Sequence, residues 1–377
     1  MIRVIIICLA LLLPASSFAD DYVGVQASKH AWGSKRLKNT LWGIARADLD
    51  GNGAKETVLL EKDRIWQAAR QGKELTEVAS FKFPPYTQGL RIYTIDVDGN
   101  GSDEIVVSAV QYGQPSSMII EKTSDGFATL IKGAKWHLRV ENKKIIGQRW
   151  SRDNFFSGKL YELKIDSGKL KVAAKLNRPR WANIFNYASV PAPTERPVLV
   201  ALKGYAPLRA YEEYAKRSKK KWRKFWTSNG RFGGTILYVR RHVRQPLADM
   251  PEYNVPIGHE PIPMPIKGTA GMLALKNDMP LKNVFGTKQL IRGGRLVGFE
   301  YNDALGFQEA FLTERMPGFI ADYVVDRGPQ GTQLYVALQG EPEVFSPNPH
   351  SSVLVYQISA PPPPKPETPE KTQANKK

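Results

Sequence analysis

The chain has 377 residues and a formal net charge of +18, from 54 Lys and Arg against 36 Asp and Glu. Its one cysteine, Cys8, lies in an apolar N-terminal run, so the rest of the sequence has no residue for a disulfide, a thiolate metal site or a cysteine nucleophile. A chain of this kind must be held together by apolar packing, and its eight Trp, fifteen Tyr and fifteen Phe supply large core residues.

Residues 1–19 have the pattern of a secretory signal. Arg3 gives the positive start, residues 4–13 form an apolar run too short to span a bilayer, and residues 17–19 form a cleavage site. We therefore expect an exported protein, periplasmic or secreted and associated with the cell surface, whose first mature residue is Asp20. No transmembrane segment is expected after cleavage, and intracellular nucleic acid is disfavoured as a partner.

One nine-residue phrase occurs twice, 48 positions apart. Each copy has oxygen-bearing residues at positions 1, 3, 5 and 9, and glycines at positions 4 and 6 that let the backbone turn tightly. Ca²⁺ takes about six to eight oxygen ligands in flexible geometry, so the phrase predicts two calcium loops. The predicted ligands, including the carbonyl of the seventh residue, are Asp48, Asp50, Asn52, Ala54 and Glu56 in the first loop and Asp96, Asp98, Asn100, Ser102 and Glu104 in the second.

Two other structures share parts of this pattern. An EF-hand needs an acid at position 12, where this chain has Leu59 and Val107, so that structure is excluded. A plain hairpin turn also favours Asp-Gly-Asn-Gly, but a turn alone does not require acids at positions 1, 3 and 9 in both copies. Residues 57–60 and 105–107 after the loops are aliphatic or β-branched, so each loop is predicted to lead into a strand.

The repeat period suggests a propeller. Residues 44–61 match residues 92–109, and an offset of 48 suits one four-stranded blade. These loops and strands resemble the FG-GAP repeats, also called VCBS repeats, of integrin-alpha-type β-propellers, a resemblance that implies calcium loops within the blades. Asn at position 5 replaces an acid typical of the family, and Glu at position 9 replaces its usual Asp. Each loop therefore carries three negative charges, and weaker calcium binding is expected.

The length fits one domain of this class. Residues 20–358 number 339, which at a period of 48 gives about seven blades. We therefore predict an all-β protein, a β-propeller with seven four-stranded antiparallel blades. The expected division is a signal peptide at 1–19, the propeller at 20–358 and a Pro-rich tail at 359–377, for which disorder, a linker or a docking role remain open.

Several later segments also have strand patterns. Residues 160–172 alternate around an Asp-Ser-Gly turn and predict a hairpin, and residues 198–202 and 235–239 predict further strands. Residues 320–338 repeat the strand, turn and strand order without the calcium ligands, which indicates a blade without its ion. Residues 351–358 alternate as a strand and are expected to help close the ring.

The positive charge is concentrated between residues 203 and 244, where thirteen Lys or Arg stand against two Glu. Such a cluster attracts anions, so anionic lipid, lipopolysaccharide, acidic polysaccharide, extracellular nucleic acid and a protein are all admissible partners at the cell envelope. Residues 208–226 fit either a poor helix or two strands with a basic turn. Their aromatics could stack on a ligand, or they could be blade core beneath a solvated hairpin. The predicted ligand-binding residues are Lys216, Arg217, Lys219, Lys220, Lys221, Trp222, Arg223 and Lys224.

No linear catalytic motif is present. The five histidines are scattered, and the sequence has no zinc phrase, nucleophile elbow or phosphate loop. The favoured function is a non-enzymatic, calcium-stiffened binding module at the bacterial cell envelope. The alternative is a propeller hydrolase or lyase acting on an acidic polysaccharide, with a site built from distant loops. Its candidate residues are His242, His259, Arg240, Arg241 and Arg244.

Overall fold

A computed structural model describes residues 27–151, 154–191, 196–216, 219–240, 254–266, 268–279, 293–328, 331–340 and 350–358. The predicted signal and the Pro-rich tail lie outside this part of the chain. Its regular elements are 28 β-strands, and none of the described residues forms a helix long and apolar enough to cross a membrane. The all-β prediction is confirmed.

Most strands form small antiparallel sheets, each made of strands that follow one another along the chain. Two short strands come first, β1 (Ala27–Ser28) and β2 (Trp32–Gly33). Blade 1 contains β3 (Gly43–Ala47), β4 (Glu56–Leu60), β5 (Arg64–Gln71) and β6 (Glu74–Lys82). Blade 2 contains β7 (Thr87–Ile95), β8 (Glu104–Gln111), β9 (Gln114–Pro115), β10 (Ser117–Thr123) and β11 (Gly126–Ala134), of which β9 only extends β8.

The next two sheets repeat this meander. Blade 3 contains β12 (His137–Glu141), β13 (Lys144–Arg149), β14 (Ser157–Asp166) and β15 (Lys169–Lys175). Blade 4 contains β16 (Tyr187–Val190), β17 (Val198–Ala201), β18 (Arg209–Lys216) and β19 (Lys219–Thr227). The hairpin predicted at 160–172 is therefore β14 and β15, and residues 208–226 form the two strands β18 and β19 rather than the helix that the sequence left open.

The last sheets combine both ends of the described chain. After a two-stranded ribbon, β20 (Tyr238–Arg240) and β21 (Asn254–Pro256), blade 5 contains β22 (Ile262–Pro263), β23 (Gly271–Asn277), β24 (Gly294–Asn302) and β25 (Gly306–Thr313). Blade 6 contains β26 (Phe319–Gly328), β27 (Gly331–Gln339) and β28 (Ser351–Ile358). Strand β1 pairs in parallel with β25, whereas β2 pairs with β28 as the fourth strand of blade 6, with Trp32 opposite Val355.

These sheets are arranged as a β-propeller, with the first strand of each blade innermost. Apolar side chains fill the spaces between neighbouring blades, as where Val58 and Leu60 of blade 1 pack with Ile105 and Val107 of blade 2. Strand β8 is buried along almost its whole length, because both of its faces meet other blades. This explains why its sequence is a continuous apolar run rather than an alternating one.

The described residues show six blades, against the seven expected from length. The difference lies in residues 228–261, between blades 4 and 5. In their described part these residues form the ribbon, whose Leu237 and Val239 are buried in one cluster with Leu90 and Phe185. Leu237 also borders a small cavity with Trp42 and Phe319. Since these neighbours lie at or near the starts of inner strands, we infer that the ribbon packs across that end of the central channel.

Candidate metal centre and channel cavity

The two predicted calcium loops occupy equivalent positions in blades 1 and 2. Each connects the innermost strand to the second strand, from β3 to β4 and from β7 to β8. Gly51 and Gly53 have φ of 71° and 85°, and the glycines of the second loop likewise have positive φ. These are left-handed conformations that side chains rarely adopt, so the glycines allow the loop to turn back on itself.

Each loop brings its three acids together. Carboxylate oxygens of Asp48, Asp50 and Glu56 lie within 4.8 Å of one another, and the same holds for the corresponding acids of the second loop, Asp96, Asp98 and Glu104. One carboxylate oxygen of Asp48, Oδ1, is buried and has no hydrogen-bond partner among the described residues. A buried anionic oxygen without a partner is costly, and a bound cation would compensate it. The donor set therefore fits a hard cation such as Ca²⁺.

Most of the remaining hydrogen bonds are the same in both loops, although the bond from Gly99 N–H to Asp96 Oδ1 (2.7 Å) has no counterpart in the first loop. Gly53 N–H donates to Asp48 Oδ2 (2.8 Å), as Gly101 N–H donates to Asp96 Oδ2 (3.1 Å). The side-chain oxygen at position 5 accepts from the N–H of the seventh residue, Ala54 or Ser102, at 2.7 Å in each loop. The amides at position 5 and the residues at position 7 are thus held beside the acids.

The last acid of each loop is the least favourable to ionise. Burial, together with the negative charges of Asp98 and Asp96, raises the pKa of Glu104 to about 7, although a hydrogen bond from Val97 N–H opposes the shift. Burial and neighbouring aspartates raise the pKa of Glu56 in the same direction. Repulsion among three carboxylates is therefore built into each loop, and a divalent cation would relieve it.

The repeat without calcium ligands that was predicted at residues 320–338 is the hairpin of β26 and β27. Here the first strand of the blade ends at Gly328 and the second begins at Gly331, and these two residues pair with each other. Asp326, near the end of β26, accepts hydrogen bonds from Arg46 and Lys55, both at 3.1 Å. Lys55 belongs to the first predicted calcium loop, so that loop contacts blade 6 on one side and, through the hydrogen bonds between Asp48 and Asp103, the second loop on the other.

The predicted basic ligand-binding residues lie on the outer hairpin of blade 4. Lys220, Lys221, Arg223 and Lys224 are exposed on β19. Arg223 pairs with Glu212, and Lys220 pairs with Glu213 at 3.2 Å. Lys216 and Lys219 end β18 and begin β19, but their side chains and Arg217 lie outside the described part.

The aromatics of this hairpin belong largely to the blade core. Trp222 is partly buried against the cluster that contains Leu199. Trp226 packs edge to face on Phe299 and Phe307 of blade 5. Of the three, Phe225 is exposed, at 37% of its surface. The stacking interpretation therefore has little aromatic surface to use, whereas the cationic surface remains.

A second group of functional side chains lies in the central channel, where the inner strands of five blades and residues 259–263 line a cavity of about 300 Å³. At its wall Arg139 donates to the carbonyls of Ile184 and Tyr187 and to Glu141 Oε2 (2.7 Å). Burial opposes the ionisation of Glu141, but Arg139, Arg178 and hydroxyl donors outweigh it and lower the pKa of this carboxyl to about 2. The charged groups of Arg139 and Glu141 thus have their hydrogen-bond partners within the protein, and the ion pair holds the wall of the cavity in place.

The opposite side of the cavity contains His259, one of the histidines considered for catalysis. Its Nδ1 lies 3.4 Å from Asp322 Oδ1, and its Nε2 is buried without a hydrogen-bond partner among the described residues. Burial lowers the pKa of His259, and Arg91 lowers it further against the opposing effect of Asp322, so the ring is neutral at pH 7. The neighbouring Glu260 accepts a hydrogen bond from Tyr93 (2.7 Å).

This cavity was not predicted from the sequence, because its residues come from separate blades. His242, Arg241 and Arg244 lie outside the described residues, as does the side chain of Arg240. Arg91, which the sequence did not single out, donates a hydrogen bond to Gly258 O (2.5 Å) and so holds the segment that contains His259 in place. The sequence does carry one useful signal for this segment. The proline content of residues 256–263 is too high for a central strand of a sheet.

No family model matches the chain, and no curated protein matches it.

Proposed function

We propose that this chain is an exported, calcium-binding β-propeller with repeats of the FG-GAP or VCBS kind, acting as a non-enzymatic binding module at the bacterial cell envelope. The observation that carries the proposal is the repeated loop. Two loops with the same acids and largely the same internal hydrogen bonds occupy equivalent positions in adjacent blades, and a turn without metal function would not need three clustered carboxylates in each.

In this function calcium stiffens the rim of the propeller. The loops join the inner and second strands of blades 1 and 2, and the first loop also contacts blade 6 through Lys55. A bound ion would therefore fix three blades relative to one another. The outer strand β19 would present Lys221 and Lys224 to an anionic glycan or lipid, because both are exposed and neither has an ion-pair partner among the described residues.

Calcium titration tests the proposal. The mature protein is expected to bind two Ca²⁺ ions with dissociation constants of about 10⁻⁴ to 10⁻³ M. Asp48→Ala and Asp96→Ala should each remove one ion, and chelation should lower the melting temperature of the parent protein but not of the double variant. At about 10 mM Ca²⁺ each occupied site would contribute roughly 1.4 to 2.7 kcal/mol.

Asp125→Ala provides the matched control. Asp125 also precedes a glycine with positive φ in a strand connection, but it lies outside both loops. The Asp125→Ala variant should still bind two Ca²⁺ ions. An unchanged stoichiometry in the double loop variant would reject the calcium assignment.

Export and the absence of catalysis are tested separately. The intact mass of protein recovered from the periplasm or the medium should correspond to a chain that begins at Asp20. Incubation of purified protein with anionic polysaccharides should yield no new reducing ends and no unsaturated products. Turnover that disappears in His259→Gln would instead establish the hydrolase or lyase alternative.

A further inference from the structure

The channel cavity holds polar groups that have no assigned role. The Nε2 atom of His259 and the Nε atom of Arg91 are both buried and lack hydrogen-bond partners among the described residues. Buried polar atoms in folded proteins are nearly always paired with protein, water or ligand. The carboxylate of Glu260 has a described partner, Tyr93, for Oε1 alone. One donor and two acceptors without described partners therefore belong to residues that line the cavity.

The charges around the cavity select a neutral occupant. The lining contains two guanidinium groups, from Arg91 and Arg139, and three carboxylates, from Glu141, Glu260 and Asp322. Arg178, whose Nη2 lies 3.4 Å from Glu141 Oε1, adds the third positive charge, and His259 is neutral. A ligand with a net charge would be buried without compensation, which is costly.

The shape and surface of the cavity suit a small ring with hydroxyl groups. Its volume of about 300 Å³ is at the lower end of ordinary ligand pockets. Its walls combine aliphatic residues with Tyr93, Tyr187 and Tyr323. Adjacent hydroxyl groups can donate to His259 and Glu260 and accept from Arg91, because a hydroxyl is both donor and acceptor.

We propose that the central channel is a binding site for a neutral saccharide of one or two rings, held by Glu260, His259 and Arg91. The site is distinct from the calcium loops and from the basic strand β19, and it goes beyond the envelope-binding function proposed above. In this site Asp322 is a positioning residue. It holds the His259 ring with Nδ1 directed toward itself, so that Nε2 is available as an acceptor.

Saturation-transfer NMR with the full mature protein tests this site. The probes are methyl glycosides of glucose, galactose, mannose and N-acetylglucosamine and their 1,4-linked disaccharides, with glucuronic acid and glucosamine as charged counterparts of glucose. At least one neutral probe should bind. Its affinity should fall about tenfold or more in His259→Gln and Glu260→Gln, the loss expected when a buried hydrogen bond is removed. Glu309→Gln, a change of the same kind on β25 outside the cavity, should have no effect.

A second measurement does not depend on variants that fold. In ¹⁵N-labelled wild-type protein, the Nε2 resonance of His259 should move when the saccharide binds, because this atom gains a hydrogen bond. The proposal is overturned if no neutral probe binds at millimolar concentration, if the charged counterparts bind equally well, or if the His259 resonance does not move. Each result can be obtained with or without calcium, so failure here is distinguishable from failure of the calcium assignment.

Discussion

Asp103, in the second predicted calcium loop, holds the backbone of Asp48 in the first. The N–H of Asp103 donates to the carbonyl oxygen of Asp48 at 2.6 Å, and the Asp48 N–H donates to Asp103 Oδ2 at 3.0 Å. Asp48 is the first predicted ligand of its loop, whereas Asp103 is not a predicted ligand. The orientation of a ligand in blade 1 therefore depends on a residue in blade 2, and we expect the two sites to be coupled.

Replacing Asp103 should weaken calcium binding without removing a ligand. Asp103→Ala removes the acceptor for Asp48 N–H, a hydrogen bond to a charged group that contributes roughly 1.5 to 3 kcal/mol. Calorimetric titration in an Asp96→Ala background isolates the first loop, and there the added Asp103→Ala change should lower the calcium affinity. Asp125→Ala in the same background should leave it unchanged. Equal affinities for all three proteins would show that the loops act independently.

The cationic surface of β19 should bind polyanions in a salt-dependent manner. Replacing Lys219, Lys220 and Lys221 by Gln removes three positive charges, so elution from a heparin or lipopolysaccharide matrix should shift to lower salt. Charges at the surface are screened over about 8 Å at physiological ionic strength, which predicts a steep salt dependence for the parent protein. Circular dichroism should show an unchanged fold.

The neighbouring blade offers a matched control for this experiment. Strand β15 is the outer strand of blade 3 and carries three exposed lysines, Lys169, Lys171 and Lys175. Their replacement by Gln changes the net charge by the same amount. If both triple variants elute alike, retention reflects net charge and β19 is not a specific surface.

The buried His137 should make a contribution to stability that is lost in acid. Burial lowers the pKa of His137 to about 4, although a hydrogen bond to Phe155 O opposes this shift. The unfolded chain, with an ordinary pKa near 6.5, binds the proton more readily, so stability is lost as the pH falls from about 6.5 to 4. The full effect is roughly 3 kcal/mol. At still lower pH, Glu141 should add a loss, since its pKa is about 2 in the folded protein.

Urea unfolding at several pH values measures this loss. His137→Gln cannot titrate, so its stability should fall less than that of the parent protein between pH 7 and pH 5. Other groups also shape the slope: His259, whose pKa is lowered by burial, adds to the loss, whereas Glu104, whose pKa is raised to about 7, opposes it. An identical slope in the variant and the parent would contradict the assignment to His137.

The sequence predicts those features whose residues are neighbours along the chain. The acids of each loop span nine positions, so their spacing indicates their chemistry before any fold is known. The hairpin at 160–172 has its turn signal between its strands, and the structure has the turn there, with Ser167 at φ 52°. Local patterns are sufficient for such elements because the interactions that form them are local.

Features built from distant residues escape this kind of prediction. Tyr93, His259 and Asp322 meet in the channel although more than 60 residues separate each from the next. The blade estimate has the same weakness, because a period measured between two loops assumes that every residue belongs to a blade. Between the inner strands of blades 4 and 5, Tyr187 and Ile262 are 75 positions apart, and the described residues between β19 and β22 form a two-stranded ribbon instead of a four-stranded sheet.

The two ends of strand β28 define a sharp test of how the ring closes. Strand β28 lies between β27 and β2, and its Val353, Val355 and Tyr356 are buried. A chain that ends at His350 lacks this strand, so β27 gains an open edge and β2 loses its partner; open edges of this kind promote aggregation. We expect that protein to elute in the void volume of a sizing column.

A chain that ends at Ala360 keeps β28 and loses only a Pro-rich, polar segment that cannot bury enough apolar area to fold. It should retain the melting temperature and the calcium stoichiometry of the full chain. If the cut at Ala360 destabilises the protein as much as the cut at His350, the domain boundary near residue 358 is wrong.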